Sequence, residues 1–346
     1  MAGDLQTLLG IDAPIVLGPF GGLSSIALTA SVSEAGGLGS FGLYGYSGDR
    51  IRETAAALRA ATGRPFALNL WLPTGDEVRP DEVDLTAARD AVAPLFEAAG
   101  AELPSLPASF LPSWEEQLEA VWDAAPAALS VVFGVPAPGV VAEAHRRGIR
   151  VLGTATSVAE AVALADGGVD AVVASGAEAA GHRVSFLRRA EESLVGTFAL
   201  VPQVVDAVDV PVLAAGGVAD RRGVAAAFAL GASGVQVGSA FLRTRQSAAS
   251  DVHRAALASA TDTDTVLTRA MSGRLARGIP NRAVHTIERA GAIAPFPAQN
   301  WLTGAFRSAA PHDRDLVSLW AGQAAGLSRQ DDAAAVFAEL AAGLPR

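Results

Sequence analysis

Eight short apolar runs recur along the chain, and most give way to a stretch with helical periodicity. They are "PIVLG" (14–18), "GLGSFG" (37–42), "PFALNLWL" (65–72), "ALSVVFG" (128–134), "IRVLGTA" (149–155), "VDAVVASG" (169–176), "VPVLAAGG" (210–217) and "SGVQVGSAF" (233–241). Glycine or aspartate bounds nearly every run, the pattern of a parallel β/α architecture. Eight units within residues 1–245 favour a closed (β/α)8 TIM barrel over an open doubly wound sheet. The chain has 346 residues, half of them hydrophobic, enough to bury the core that such a barrel needs. Two segments break the repeat. Residues 75–117, rich in Pro, Asp and Glu, read as an insertion after the third strand. Residues 246–346 read as a mainly helical extension, and both segments are expected to cover the barrel mouth. Barrels of this kind carry their chemistry at the C-terminal ends of the strands.

Two absences narrow the chemistry further. No cysteine means no thiolate nucleophile, disulfide, Fe–S cluster or cysteine zinc site. No lysine means no Schiff base and no P-loop amine, and all 26 basic residues are arginine. A net charge of −10 argues against a nucleic-acid partner, and Arg188-Arg189 and Arg221-Arg222 read as solvated helix ends. "MAGDLQTLLG" has no basic leader, and no apolar stretch is long enough for a bilayer; the expected location is the cytoplasm, with no membrane partner.

The strand ends then supply candidates. Gly37-Leu-Gly-Ser-Phe-Gly42 has dinucleotide-loop spacing but follows a helix and is itself a strand, so it is structural. Gly216 and Gly217 end the seventh strand, with Asp220 where the next helix begins; Gly238 and Ser239 end the eighth. Glycine lets backbone N–H groups approach an anion closely, and the loops after strands seven and eight are where this fold seats phosphate. Asn69 is an amide at the end of an apolar strand, suited to a flat heterocycle. The loop Gly18-Pro19-Phe20-Gly21-Gly22 offers backbone groups near the barrel axis. Together these point to FMN. In "AVVASGAEAAGHRVSF" an apolar strand opens onto small residues, Gly181 among them, and then His182 beside Arg183. His145, His253, His285 and His312 read as structural.

Taken in order, "GPFGGLSS", "EAGGLGSFG", "PFALNLW", "SVVFGVP", "GTATSVAEA", "ASGAEAAGHR", "LVPQVVDAV", "LAAGGVADRRGVAAAFALGASGVQVGSAFL", "GRLARGIPNR" and "WAGQAAGL" resemble the nitronate monooxygenases, formerly 2-nitropropane dioxygenases, nearly end to end. The resemblance implies an FMN-dependent barrel that oxidises alkyl nitronates, with nitroalkanes as a second substrate class, using O2 to give carbonyl compounds and nitrite. It places phosphate contacts at Gly217, Gln236, Val237, Gly238 and Ser239, and sets Asn69 toward the flavin. His182 falls on the family's active-site base. Three positions depart from the family pattern: Ser175 stands for Gln, Ala180 for Gly and Phe20 for Met. Glu178 belongs to the motif as a possible anchor, and Arg183 is open between steering an anion and facing solvent. Trp71, Phe133 and Trp301 are candidates for an apolar lining. Barrels with a similar Gly-His loop reduce enoyl thioesters or quinones with NAD(P)H, which makes a flavin-dependent reductase the alternative reading. A flavin-binding protein without turnover is a third.

Overall fold

A computed structural model describes residues 4–345. The eight apolar runs become strands β1 (Ile15–Leu17), β2 (Gly39–Gly42), β3 (Phe66–Trp71), β4 (Ala128–Val132), β5 (Arg150–Ala155), β6 (Ala171–Ser175), β7 (Val212–Ala215) and β8 (Gly234–Val237). All pair in parallel, in the order β1-β8-β7-β6-β5-β4-β3-β2. A bridge between Val16 and Leu38 joins β1 to β2. Leu38 N–H donates to the Ile15 carbonyl at 3.0 Å, Leu17 N–H to the Leu38 carbonyl at 2.9 Å, and the sheet closes into a (β/α)8 barrel.

Local signals set where the outer helices start. Ser25, Ser47, Ser113, Ser157 and Asp220 each accept a backbone N–H of the first turn that no intrahelical carbonyl could take. The Ser113 cap opens Trp114–Ala124, which packs on Gly48–Ala61 in the barrel wall, so the insertion ends before Trp114. The helix that completes the wall after β8 comes from the far end of the chain: Ala333–Ala341 packs on Ile26–Glu34 and Arg221–Ala229. At the N-terminal end of the barrel the Leu5–Leu9 helix buries Leu5 and Leu9 against Val16, Leu38, Leu152 and Leu213.

Insertion and extension share a second core. Val92, Leu95 and Phe96 of the helix Thr86–Ala99 pack with Val284, Ile287, Leu302 and Phe306 of Arg282–Ala290 and Ala298–Ala309. The extension also carries a β-hairpin, Val266–Thr268 with Ala276–Gly278. Its second strand pairs antiparallel with Gly181–His182, which stitches the loop after β6 to the extension. Among the described residues, no helix is long and apolar enough to cross a membrane.

Candidate active site

The loops at the C-terminal strand ends and the extension enclose a cavity of about 390 Å³. On one side it is backbone. Gly18, Pro19, Phe20 and Gly21 after β1, Gly216 and Gly217 after β7, and Gly238 and Ser239 after β8 all line it. Gly216 and Gly217 have φ of +92° and +75°, a conformation that side chains with a Cβ resist. Among the described residues, the N–H groups of Gly216, Gly217, Gly238 and Ser239 donate to no protein acceptor. Backbone donors left unpaired at two neighbouring strand ends form a cradle for an anion. Ser239 Oγ accepts the Gly322 N–H at 2.9 Å, which orients the hydroxyl and leaves its own hydrogen free to donate.

The barrel floor adds polar side chains, Asn69, Thr154, Ser175 and Gln236. Asn69 is buried, and its Nδ2 donates to the Ser130 carbonyl and Oγ, each at 3.2 Å, which leaves Oδ1 free to accept. Val237 does not reach the cavity. Side chains alternate along β8, so Gln236 faces in while Val237 sits in the outer core, and the Val237 carbonyl accepts the Gly18 N–H at 2.8 Å.

The rest of the lining is aromatic and charged: Tyr44, which packs beside Gly21, with Trp71, His182, Phe296, Asn300, Arg307 and Trp320. The His182 ring lies edge-on to Trp71 at 4.9 Å between centroids, and 5.5 Å from Trp320. Its Nε2 is 2.8 Å from Ser272 Oγ. That hydroxyl donates to the Arg274 carbonyl at 3.1 Å and accepts the Arg274 N–H at 3.3 Å. The donor in the His182–Ser272 bond depends on the imidazole tautomer; with the Ser272 hydrogen on the Arg274 carbonyl, Ser272 accepts from Nε2–H and the lone pair of the neutral imidazole falls on Nδ1. Burial, reinforced by the positive charges of Arg274 and Arg307, lowers the His182 pKa from 6.5 to about 3. The ring is neutral at physiological pH.

The loop carrying His182 is tied down from several directions. Thr197 donates through its N–H and Oγ1 to the Glu178 carboxylate. Gln323 N–H donates to the Glu178 carbonyl at 3.0 Å. Arg277 Nε donates to the Ala177 carbonyl at 2.8 Å. Arg183 neither faces solvent nor lines the cavity: its buried guanidinium donates to the carbonyls of Gly176, Ser175 and Ser193. Ala179, Ala180, Gly181 and Ser175 line the cavity beside it.

Other residues singled out in the sequence fall elsewhere. Phe133 stands behind Trp71, 4.8 Å between ring centroids, and Trp301 packs on Phe110 in the second core. His145 pairs with Asp170 and His253 donates to the Trp320 carbonyl. Tyr44 follows β2, so examining every strand end finds it. Ser272, Phe296, Asn300, Arg307 and Trp320 belong to the extension and carry no local signal that aims them at the site. Among the described residues, no cluster of acidic and histidine side chains could hold a metal ion.

A family model described as nitronate monooxygenase matches residues 3–343. A probable nitronate monooxygenase of Staphylococcus saprophyticus subsp. saprophyticus is 38% identical over 321 residues, 91% of this chain and 90% of its own. The crystal structure of a nitroalkane oxidase from Streptomyces ansochromogenes superposes with a TM-score of 0.88 at 34% identity, covering 99% of this chain and 97% of that one. FabK from Thermotoga maritima gives a TM-score of 0.76 at 27% identity, covering 98% and 95%.

Proposed function

The chain belongs to the nitronate monooxygenase family and is an oxidoreductase, and from that premise we propose that it uses FMN and O2 to oxidise alkyl nitronates, and more slowly nitroalkanes, to carbonyl compounds and nitrite. The observation that carries this reading is the pairing of a backbone anion cradle with a neutral imidazole in one cavity.

The residues fit FMN. The free N–H groups of Gly216, Gly217, Gly238 and Ser239 would hold its phosphate, and Asn69 Oδ1 and Gln236 would meet the polar edge of its ring. Bound there, the flavin supplies the electron-transfer and oxygen chemistry that no side chain of this protein has. The protein's own part is to orient, to exclude water and to handle a proton. Trp71, Phe296 and Trp320 form an apolar wall around the reacting region. His182 Nδ1 is the base that accepts the α-proton of a nitroalkane, with Ser272 holding the ring and its tautomer. Burial, reinforced by the nearby guanidinium groups, makes that imidazole a weak base, so proton abstraction from a neutral nitroalkane is uphill. A preformed nitronate skips the step, and its negative charge suits the same surroundings.

The competitor is the reductase reading of the sequence, a flavin-dependent barrel fed by NAD(P)H. Anaerobic stopped-flow mixing of the FMN-loaded protein with propyl nitronate, NADH and NADPH in turn separates the two. Rapid bleaching of the flavin absorbance by nitronate alone is the expected result. Bleaching by a nicotinamide alone replaces the proposal with the reductase, and inertness toward all three leaves a flavin-binding protein without turnover.

A further inference from the structure

Among the described residues, Arg307 is the one arginine that lines the cavity, and no carboxylate answers its charge. It rises from the helix Ala298–Ala309 and lines the cavity on the side of His182 and Tyr44. Its NH1 donates to Ser318 Oγ at 3.0 Å, and its NH2 to the Asn300 carbonyl at 3.2 Å and Oδ1 at 2.9 Å. Its Nε is buried with no acceptor, and among the described residues no carboxylate lies within ion-pair distance. Arg274 nearby makes the contrast, because it is met by Asp76 at 2.6 Å and Glu77 at 3.0 Å. Withdrawing a guanidinium from water without a counter-ion is costly, and an anion entering the cavity removes the cost. A second donor points the same way. The Tyr44 hydroxyl accepts from Asn300 Nδ2 at 3.0 Å, and among the described residues its own hydrogen has no acceptor. Tyr44 stays protonated, burial pushing its pKa up to about 12.

We propose that Arg307, with the Tyr44 hydroxyl beside it, recognises the negative charge of the substrate and holds the oxyanion end of a small planar organic anion next to His182. The inference rests on the proposed nitronate oxidation for the identity of that anion. The free backbone donors for phosphate belong to β7 and β8, whereas Tyr44 follows β2, so the cofactor phosphate has its own seat.

The test uses FMN-loaded wild type, Arg307→Gln and Arg307→Lys, with propionate as a non-reacting anion whose binding is followed by the change in flavin absorbance. Arg307→Gln is expected to keep stoichiometric FMN, to weaken propionate binding and to raise the KM for propyl nitronate, each by about tenfold or more, the range of a lost charged hydrogen bond. Arg307→Lys is expected to recover most of both. Unchanged propionate affinity in Arg307→Gln overturns the proposal, as does FMN loss that the lysine variant repairs, which moves the charge to the cofactor. If Arg307→Gln does not fold, competition in the wild type decides: propionate is expected to inhibit nitronate oxidation and propionamide not to, and equal inhibition overturns the assignment. Propionate binding that depends on Arg307 in a protein inert toward nitronate keeps the charge assignment and removes the proposed reaction.

Discussion

The two sides of the cavity are built from different materials. The glycine side is mostly main chain, drawn from loops directly at the ends of β1, β7 and β8, and it presents N–H groups, with the Glu178 carboxylate beside Gly217 tied to Thr197. The side holding His182 is side chain throughout, gathered from β2, β3, the loop after β6 and three stretches of the extension. On the proposed reading, the barrel's backbone would by itself seat the phosphate, while the residues around His182 are brought to the barrel largely by segments outside its repeat. Damage to the first should expel the cofactor, and damage to the second should spare the cofactor and change the chemistry.

The largest expected effect breaks the glycine side alone. Gly217→Asp sets a carboxylate beside the phosphate seat and demands a positive φ from a residue with a Cβ. The purified variant is expected to hold almost no FMN; a full complement of flavin, read from the ratio of visible to ultraviolet absorbance, would refute the phosphate assignment. Next in size is His182→Asn. It should retain FMN and lose about 10²–10⁴ in nitroalkane turnover, the usual worth of a general base, with nitronates less affected. Equal losses on both substrates would show that the ring positions substrate instead of taking its proton. Ser272→Ala sharpens the comparison by freeing the tautomer of His182 without touching the cavity's glycines. A loss of about tenfold or more on nitroalkane, with a smaller change on nitronate, is expected from removing a partner that orients the reactive ring.

The smallest effect is on stability. The folded pKa of His182 lies below its ordinary value of 6.5, so the unfolded chain binds the extra proton as pH falls from about 6.5 toward 3. Stability that His182 leaves intact above that window is therefore lost on acidification. His182→Asn removes the dependence, and its Tm should fall less than the wild type's between pH 7 and pH 4.5, by on the order of a few degrees. Parallel Tm curves for the two proteins would mean that the ring is not shielded from water as described.

Much of the glycine side was legible beforehand because its causes are local. Gly216, Gly217, Gly238 and Ser239 directly follow apolar runs, and chain order alone puts those strand ends side by side. Val237 shows how far period-2 reasoning could have gone: one step along β8 from Gln236, it had to face the other way. Arg183 shows the limit in the other direction, since adjacency to His182 suggested a part in the site, and only the fold turns its guanidinium onto the carbonyls of its own loop. The strand Gly181–His182 is too short to have any period and exists because Ala276–Gly278 pairs with it.

By itself, then, the sequence determined the barrel and placed glycine loops and His182 at its strand ends, since periodicity, capping and glycine act over a few residues. Tertiary structure alone decided what surrounds that histidine. Ser272 lies 90 residues downstream of His182, and Arg307 and Asn300 reach the cavity only because the helix that carries them packs against an insertion from between β3 and β4. Nothing in a local stretch encodes that packing. It follows from burying the apolar faces of Thr86–Ala99, Arg282–Ala290 and Ala298–Ala309 against one another, and the burial sets the Arg307 guanidinium at the cavity beside His182.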